Sequence, residues 1–478
     1  MNFYGNRNPK DALYYFGLIA SIPHPSGYEK ELVETLKALA LEHGLQVKQD
    51  DAGNLRIDRP ASKGMENAPH IILQGHLDMV PKAAPGKEFD FTTQPIELIE
   101  ENGYLRANGT TLGADNGAGA ASVLALLFDP DLKAGAISGL FTISEEIGLI
   151  GANKIDKELL QGDWLLNLDS GNYHNFCIGC AGGARLSFDI PFTRVSAPEG
   201  NSYSIQINGL EGGHSGCKIH EKCGNSLILM SQFLQTINCD AVSSLNGGSA
   251  DNAIPAESSA EVISPLSDKE LRSAAERFRN ESAETFNAPK TYQINIIEIP
   301  ALETVIEPSL MKVFLQLTAT VPNEVAEMDS KLNIVKTSSN FASVHTGEKT
   351  MIVHTSQRSL EDPAREAMTE KIKHHFSPLN PIATVSGVYP GWPAKADSEA
   401  IKFVSGIHQE IYGELPGIYA LHAGLEPGAF SIKNPDLQLV SFGPEELDIH
   451  TERERLDLAK YEEFNQLLRH IIEQAAKN

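Results

Sequence analysis

His76 and Asp78 stand two residues apart at the end of the apolar run IILQGHLDMV (71–80), so on an extended chain both side chains point to the same side. Asp115 lies in the glycine-rich turn TTLGADNGAG, Glu145 and Glu146 close FTISEEIG, and Asp169 closes WLLNLDSG. Polar groups at the end of a buried strand cost free energy unless something compensates them. Several anions on one rim raise one another's pKa values unless cations neutralise them. One imidazole among carboxylates is donor chemistry for Zn²⁺, Mn²⁺ or Co²⁺, whereas Ca²⁺ takes oxygen alone. Of two adjacent glutamates, one suits ligation while its neighbour takes a proton from water. Alone, His-x-Asp reads as a hydrogen-bonded pair and Glu-Glu as a solvated loop. Their repeated placement after apolar runs is what points to a metal site.

Such a site needs elements that bring four run ends together. EKELVETLKALALEHG (29–44) has helical spacing and stops at Gly44; HIILQG, GLFTIS (139–144) and DWLLNLD (163–169) read as buried strands. Between them, GAGAASVLALLF (117–128) reads as a buried helix with a small-residue face. Strands alternating with helices predict an α/β sheet with parallel strands, whose sites lie at the strands' carboxyl ends. From about Arg185 the texture changes: ARLSFDIPFT and YSIQINGL alternate with period two, and DKELRSAAERFRNESAETF (268–286) is an amphipathic helix. After TVSGVYPGW the buried-strand signal returns in LQLVSFG (437–443), followed by a long C-terminal helix. The expected organisation is a mixed-sheet α/β domain built from 1–186 and 388–478, with an α+β domain, 187–387, inserted.

At 478 residues the chain exceeds one ordinary core. Its 63 acidic against 39 basic residues, net charge −24, disfavour nucleic acid and anionic membranes as partners. No apolar run reaches the roughly 18 residues of a membrane span. The N-terminus lacks a basic start followed by an apolar segment, so the expected location is cytoplasmic. Five cysteines fit a reducing compartment, and Cys177 and Cys180 read as structural thiols.

In order along the chain come GHLDMV, TTLGADNGAGAASVLAL, SEEIGLIGA, NLDSG, GCAGG, GLEGGHSG, NAIPAE, YPGW and HAGLEPGAF. This order resembles the co-catalytic zinc exopeptidases related to carboxypeptidase G and peptidase T, and within them the Xaa-His (aminoacyl-histidine) dipeptidase subfamily. The resemblance runs from SIPHPSGYEKEL to about His450. It implies two Zn²⁺ ions per subunit, with Mn²⁺ or Co²⁺ as substitutes. His76 and Asp169 would hold one ion and Glu146 and a C-terminal histidine the other. Asp115, cis-linked to Asn116, would bridge the two. Glu145 would be the general base, and Asp78 would orient His76. Of two C-terminal candidates, His450 matches the family's last ligand, whereas His422 matches a substrate-pocket motif. HTERER replaces the Ser-Pro expected after that histidine. The inserted domain would be a lid and dimerisation domain, giving a homodimer. In it His214 would stabilise an oxyanion, and Asn252 and Arg358 would grip a substrate carboxylate. Asp251 stands where relatives tend to have Arg. The implied activity is hydrolysis of Xaa-His dipeptides. The alternatives are an aminoacylase or broader dipeptidase on this scaffold, or a non-catalytic peptide-binding protein. A dinuclear phosphoesterase would want basic residues near the glycine loops, and none stands close to Asp115 or Asp169.

Overall fold

The structure is a computed structural model that describes residues 7–8, 10–330 and 333–477. The chain divides into two compact units. The first takes the chain up to Cys180, Trp392–Ala420 and Leu425 onward; the second takes Ala181–Gly391 and Leu421–Gly424.

In the first unit, parallel strands β1 (Ile71–His76), β2 (Ile137–Thr142), β3 (Trp164–Asn167) and β4 (Gln438–Ser441) lie side by side in the order β2-β1-β3-β4. Every residue of β1, β2 and β3 is buried. That burial on both faces explains why these segments read as unbroken apolar runs and not as an alternation. Leu55–Arg59 pairs antiparallel with β2, and Asn175–Cys180 antiparallel with β4, so the sheet is mixed. The helix α1 (Ala114–Leu127) packs across β1 and β2. Its small residues permit that approach: a Cβ on Gly119 would lie 2.6 Å from the Leu168 carbonyl oxygen, and one on Gly75 2.2 Å from Asn116 Oδ1. Helix α2 (Pro427–Lys433) follows the HAGLE segment, and α3 (Leu458–Ala475) closes the chain. Tyr461, Phe464, Leu468 and Ile472 of α3 enter the same core as Phe16, Leu73, Leu124 and Leu166. Truncating a ring such as Phe464 there costs about 3–5 kcal/mol, a large share of a domain's net stability.

The second unit is α+β. Its main sheet is antiparallel, with Gly182–Pro191, Thr350–Ser359 and Ile334–Thr346 as neighbours. Leu227, Met230 and Phe233 from one helix and Phe314 and Leu315 from another cover a core with Leu186, Phe188 and Ile190. This unit begins earlier than residue 187 because Gly182–Pro191 pairs along its length with Thr350–Ser359. It reaches Gly391, whose N–H donates to Asp362 at 3.0 Å. It takes in 421–424 because Ala181 N donates to the Leu421 carbonyl at 2.9 Å. The five cysteines are free thiols; Cys177 and Cys180 are buried, and burial pushes Cys180 up to about 12.

Candidate metal centre and substrate groups

In the first unit, the carboxyl ends of β1, β2 and β3 converge. His76, the last residue of β1, is 1% exposed; its Nε2 lies 3.2 Å from Asp115 Oδ1 and 3.6 Å from Asp169 Oδ1. His450 arrives from the loop after β4, and its Nε2 lies 3.1 Å from Asp115 Oδ2 and 2.8 Å from Glu146 Oε1. The two oxygens of Asp115 therefore face two different histidines. His76–Asp115–Asp169 and Asp115–Glu146–His450 form two donor sets, each with its donor atoms within 4.8 Å of one another. They share one carboxylate. Glu145 is grouped with His76 and Glu146 in the same way.

Backbone geometry delivers these side chains. The Asp115–Asn116 peptide bond is cis. Glu454, 2% exposed, grips the turn from behind: Oε2 accepts from Leu112 N (2.8 Å) and Gly113 N (3.2 Å), and Oε1 from Ala114 N (2.7 Å) and Asp115 N (3.3 Å). The Glu145–Glu146 turn is gripped by Asp78, whose Oδ1 accepts from Glu145 N at 2.8 Å. Asp78 Oδ2 accepts from Glu146 N at 3.1 Å and Ser26 Oγ at 2.7 Å. Glu29 anchors the residue before, accepting from Ser144 N at 2.9 Å. Asp78 meets His76 chiefly through its backbone, with Nδ1 2.9 Å from the Asp78 carbonyl oxygen and 3.5 Å from its Oδ1.

The electrostatics are strained. Burial pushes Glu145 up to about 8, with Glu426 and Glu146 adding repulsion against the attraction of His76. Asp169 is driven well above its ordinary range by burial and by Asp115 and Glu145. Asp115 goes the other way: burial opposes its ionisation, but bonds to His450 and His76 prevail. His450 is raised to about 10 by Asp115 and Glu146. His76 is raised despite burial, by Asp169 and Asp115. Two histidines cannot balance this many carboxylates; a cation of charge two in each donor set would. One nitrogen with two carboxylate oxygens per set, and one carboxylate shared between the sets, fits zinc, manganese or cobalt.

In the second unit, Arg358 lies opposite Ser338 in the strand register. It is buried, donates to the Tyr389 hydroxyl at 2.6 Å, and has no partner for Nε among the described residues. Ser338 Oγ lies 2.6 Å from His422 Nε2. Burial, then Arg358, pushes His422 down to about 3. A Cβ on Gly216 would lie 2.6 Å from the His422 carbonyl oxygen and 2.9 Å from the His214 ring, so His214 comes to the same place. His214 Nδ1 is buried without a partner among the described residues, and His422 also meets the Val335 backbone. Asn252 is exposed, and its carbonyl accepts from Ser215 N at 2.7 Å. Asp251 pairs with Arg185. A further group, Glu211–Glu221–Cys223, is already neutralised in part by Lys218, 2.5 Å from Glu211 and 3.4 Å from Glu221.

Sequence reading missed Glu454, Glu29 and Ser26. Glu454 carried a signal, an acid just beyond His450, but its partners lie over 300 positions away.

The family profile described as Peptidase family M20/M25/M40 matches residues 72–474. The cytosol non-specific dipeptidase of Escherichia coli (strain K12) is 32% identical over 479 residues, covering 98% of each chain. The solved aminoacylhistidine dipeptidase from Vibrio alginolyticus is 33% identical, with a TM-score of 0.89 and 98% of each chain covered. The aminopeptidase PepT of Bacillus cereus, at 18% identity and a TM-score of 0.62, shares the fold over 98% of this chain and 99% of its own.

Proposed function

Because this chain belongs to peptidase family M20/M25/M40 and is a dipeptidase of that family, a hydrolase of peptide bonds, we propose that it cleaves Xaa-His dipeptides with two zinc ions. His76 and Asp169 would hold one ion and Glu146 and His450 the other, with Asp115 common to both donor sets. The observation that carries this reading is the pair of donor sets sharing Asp115, with Glu145 adjoining Glu146. When bound, the ions supply Lewis-acid polarisation of the scissile carbonyl and a lower pKa for water at the site.

The chain's own groups do the rest. Glu145, its backbone fixed by Asp78, takes a proton from the attacking water and delivers it to the leaving amine. His214 stabilises the oxyanion, Arg358 and Asn252 hold the substrate's terminal carboxylate, and His422 is a further substrate-binding residue; a guanidinium can bond both carboxylate oxygens at once. Preference for histidine at the second position rests on the likeness to the Vibrio alginolyticus enzyme. A broader specificity is the second reading, favoured by the name of the Escherichia coli relative. The second unit serves as lid and homodimer contact, and the enzyme works in the cytoplasm, as the name of that relative suggests for it. Among the described residues, no helix is long and apolar enough to cross a membrane.

The test is hydrolysis of a dipeptide panel that includes β-alanyl-histidine, before chelation, after it, and after zinc is returned. Activity lost and restored, and greatest on Xaa-His, supports both metal and specificity. Restored activity spread over other dipeptides moves the conclusion to the broad enzyme. No metal-dependent cleavage of any member would sink the catalytic reading.

A further inference from the structure

One buried carboxylate is used by none of the roles above. Glu426, at the entry to α2, is 0% exposed. Its Oε2 accepts from Gln74 Nε2 at 2.5 Å and from Thr142 Oγ1 at 2.8 Å. Gln74 is on β1, two residues before His76 and on the same strand face. Thr142 ends β2, just before the Glu145–Glu146 turn. The bonds continue: Asn167 Nδ2, on β3, donates to Gln74 Oε1 at 2.6 Å, and Ser441 Oγ, on β4, donates to Asn167 Oδ1 at 2.5 Å. Gln74, Asn167 and Ser441 are register partners, so the chain of side chains runs straight across the sheet. All five residues are fully buried.

The chain has a direction. Ser441 donates to Asn167, Asn167 to Gln74, and Gln74 to Glu426. An amide can point either way in an apolar core, and an acceptor oxygen held at the end of the row fixes both amides at once. Such rows polarise cooperatively. A buried carboxylate is otherwise a poor stabiliser, since well-packed apolar residues usually serve as well or better. Its position gives it a use: the side chains it organises are the last residues of β2, β3 and β4 and, on β1, the residue two before His76.

We propose that Glu426 is a positioning residue that, through Gln74, Thr142, Asn167 and Ser441, sets the alignment of the strand ends that carry His76, Glu145, Glu146, Asp169 and His450. The inference rests on the reading of those residues as a metal centre.

The test uses the full chain, stripped of metal and titrated with Co²⁺, followed by calorimetry and by the visible absorption of the bound ion. Three variants are compared: Glu426→Gln, Glu426→Met and Gln74→Met. In Glu426→Gln the amide oxygen accepts both bonds, so affinity within about threefold of wild type and an unchanged spectrum are expected. In Glu426→Met the row keeps only the contact from Gln74 Nε2 to Thr142 Oγ1 at 3.2 Å; Co²⁺ affinity falls about 10–100-fold, the scale for residues that orient metal ligands, and the spectrum changes. Gln74→Met breaks the same row from its middle and gives the same loss, which keeps the test decisive if Glu426→Met does not fold. Wild-type affinity and spectrum in a folded methionine variant overturn the proposal, as does a Glu426→Gln variant as impaired as Glu426→Met. If wild type binds no Co²⁺, the metal centre itself falls and this inference with it; if wild type binds and the variants match it, only the inference falls.

Discussion

Asp78 is the residue whose geometry departs most usefully from its sequence context. Next to His76, it reads as that imidazole's partner; in the structure its carboxylate holds the Glu145–Glu146 turn, through Glu145 N at 2.8 Å and Glu146 N at 3.1 Å. Asp78→Asn separates the two roles. Its amide oxygen can keep Glu145 N while its NH₂ group donates to Ser26 Oγ, which turns round to accept. Glu146 N alone then loses its acceptor, and an unsatisfied buried N–H costs about 1–3 kcal/mol. If that cost, about 2 kcal/mol, falls on the turn's preorganisation, kcat/KM drops about 30-fold. Asp78→Ala strips both backbone bonds and the Ser26 bond, at about 1.5–3 kcal/mol for each charge-assisted bond, so its loss of kcat/KM exceeds 100-fold. The Asp78 carbonyl still meets His76 Nδ1 in both variants. The assay is steady-state dipeptide hydrolysis at saturating zinc, with zinc stoichiometry measured in parallel. The ordering wild type, Asn, Ala in kcat/KM, with zinc retained in Asp78→Asn, is expected. Loss of zinc in Asp78→Asn with an unchanged kcat per bound zinc pair refutes the reasoning and returns Asp78 to the imidazole.

Glu145→Gln should leave metal content intact while removing nearly all turnover, a loss of about 10²–10⁴-fold for a missing general base; turnover within tenfold of wild type would assign the base elsewhere. Glu454→Gln puts an NH₂ group against two of the four amides now gripped; the two lost charge-assisted bonds, at about 1.5–3 kcal/mol each, cost about 3–6 kcal/mol together, read by denaturant unfolding, and an unchanged midpoint would show that the turn does not need this anchor. His422 stays neutral in the fold down to about pH 3, whereas an unfolded chain protonates it near pH 6.5. Below that pH, stability therefore falls with acidification by up to about 1.4 kcal/mol per unit; His422→Gln should flatten this acid limb, and superimposable limbs would refute the assignment. Zinc at about 100 times its Kd should add about 2.7 kcal/mol to stability, visible as a rise in thermal midpoint that chelator reverses; a midpoint indifferent to zinc and chelator would contradict a folded-state metal centre.

The clustered donors were legible because buried parallel strands leave a strong mark on a sequence. Ile71, Ile72 and Leu73, then His76, is a pattern that a surface loop would not produce, and the same holds for Leu165, Leu166 and Asp169. The inserted unit showed itself through period-two alternation, as in Gly182–Pro191, where one face is covered and the other wet. Its exact limits did not show, because Ala181 and Leu421 are joined by a backbone bond between segments 240 positions apart, and no local pattern records that. The supporting residues were illegible for the same reason. Glu454 lies 340 positions from Ala114, and Glu426 lies 352 from Gln74. A solitary acid in an acidic chain carries no sign of what it accepts from.

The supports are themselves informative about the centre they serve. Asp78, Glu29 and Glu454 each use a carboxylate to accept backbone N–H groups of a turn that carries a donor residue. A carboxylate is the side chain best able to accept two or more amides, because both its oxygens accept and neither donates. Its drawback is charge, placed beside Asp115, Glu145, Glu146 and Asp169, where each added anion raises the repulsion. In a protein that only had to fold, asparagine or a water-filled turn would anchor the backbone with less electrostatic strain. Acid supports under an acid cluster make sense where cations sit at the centre, since the same negative charges then strengthen the ligands' hold and the anchoring amides keep them aimed. With cations in place the negative potential serves the site, and the row of Gln74, Asn167 and Ser441, which ends on Glu426, adds one more buried anion to it.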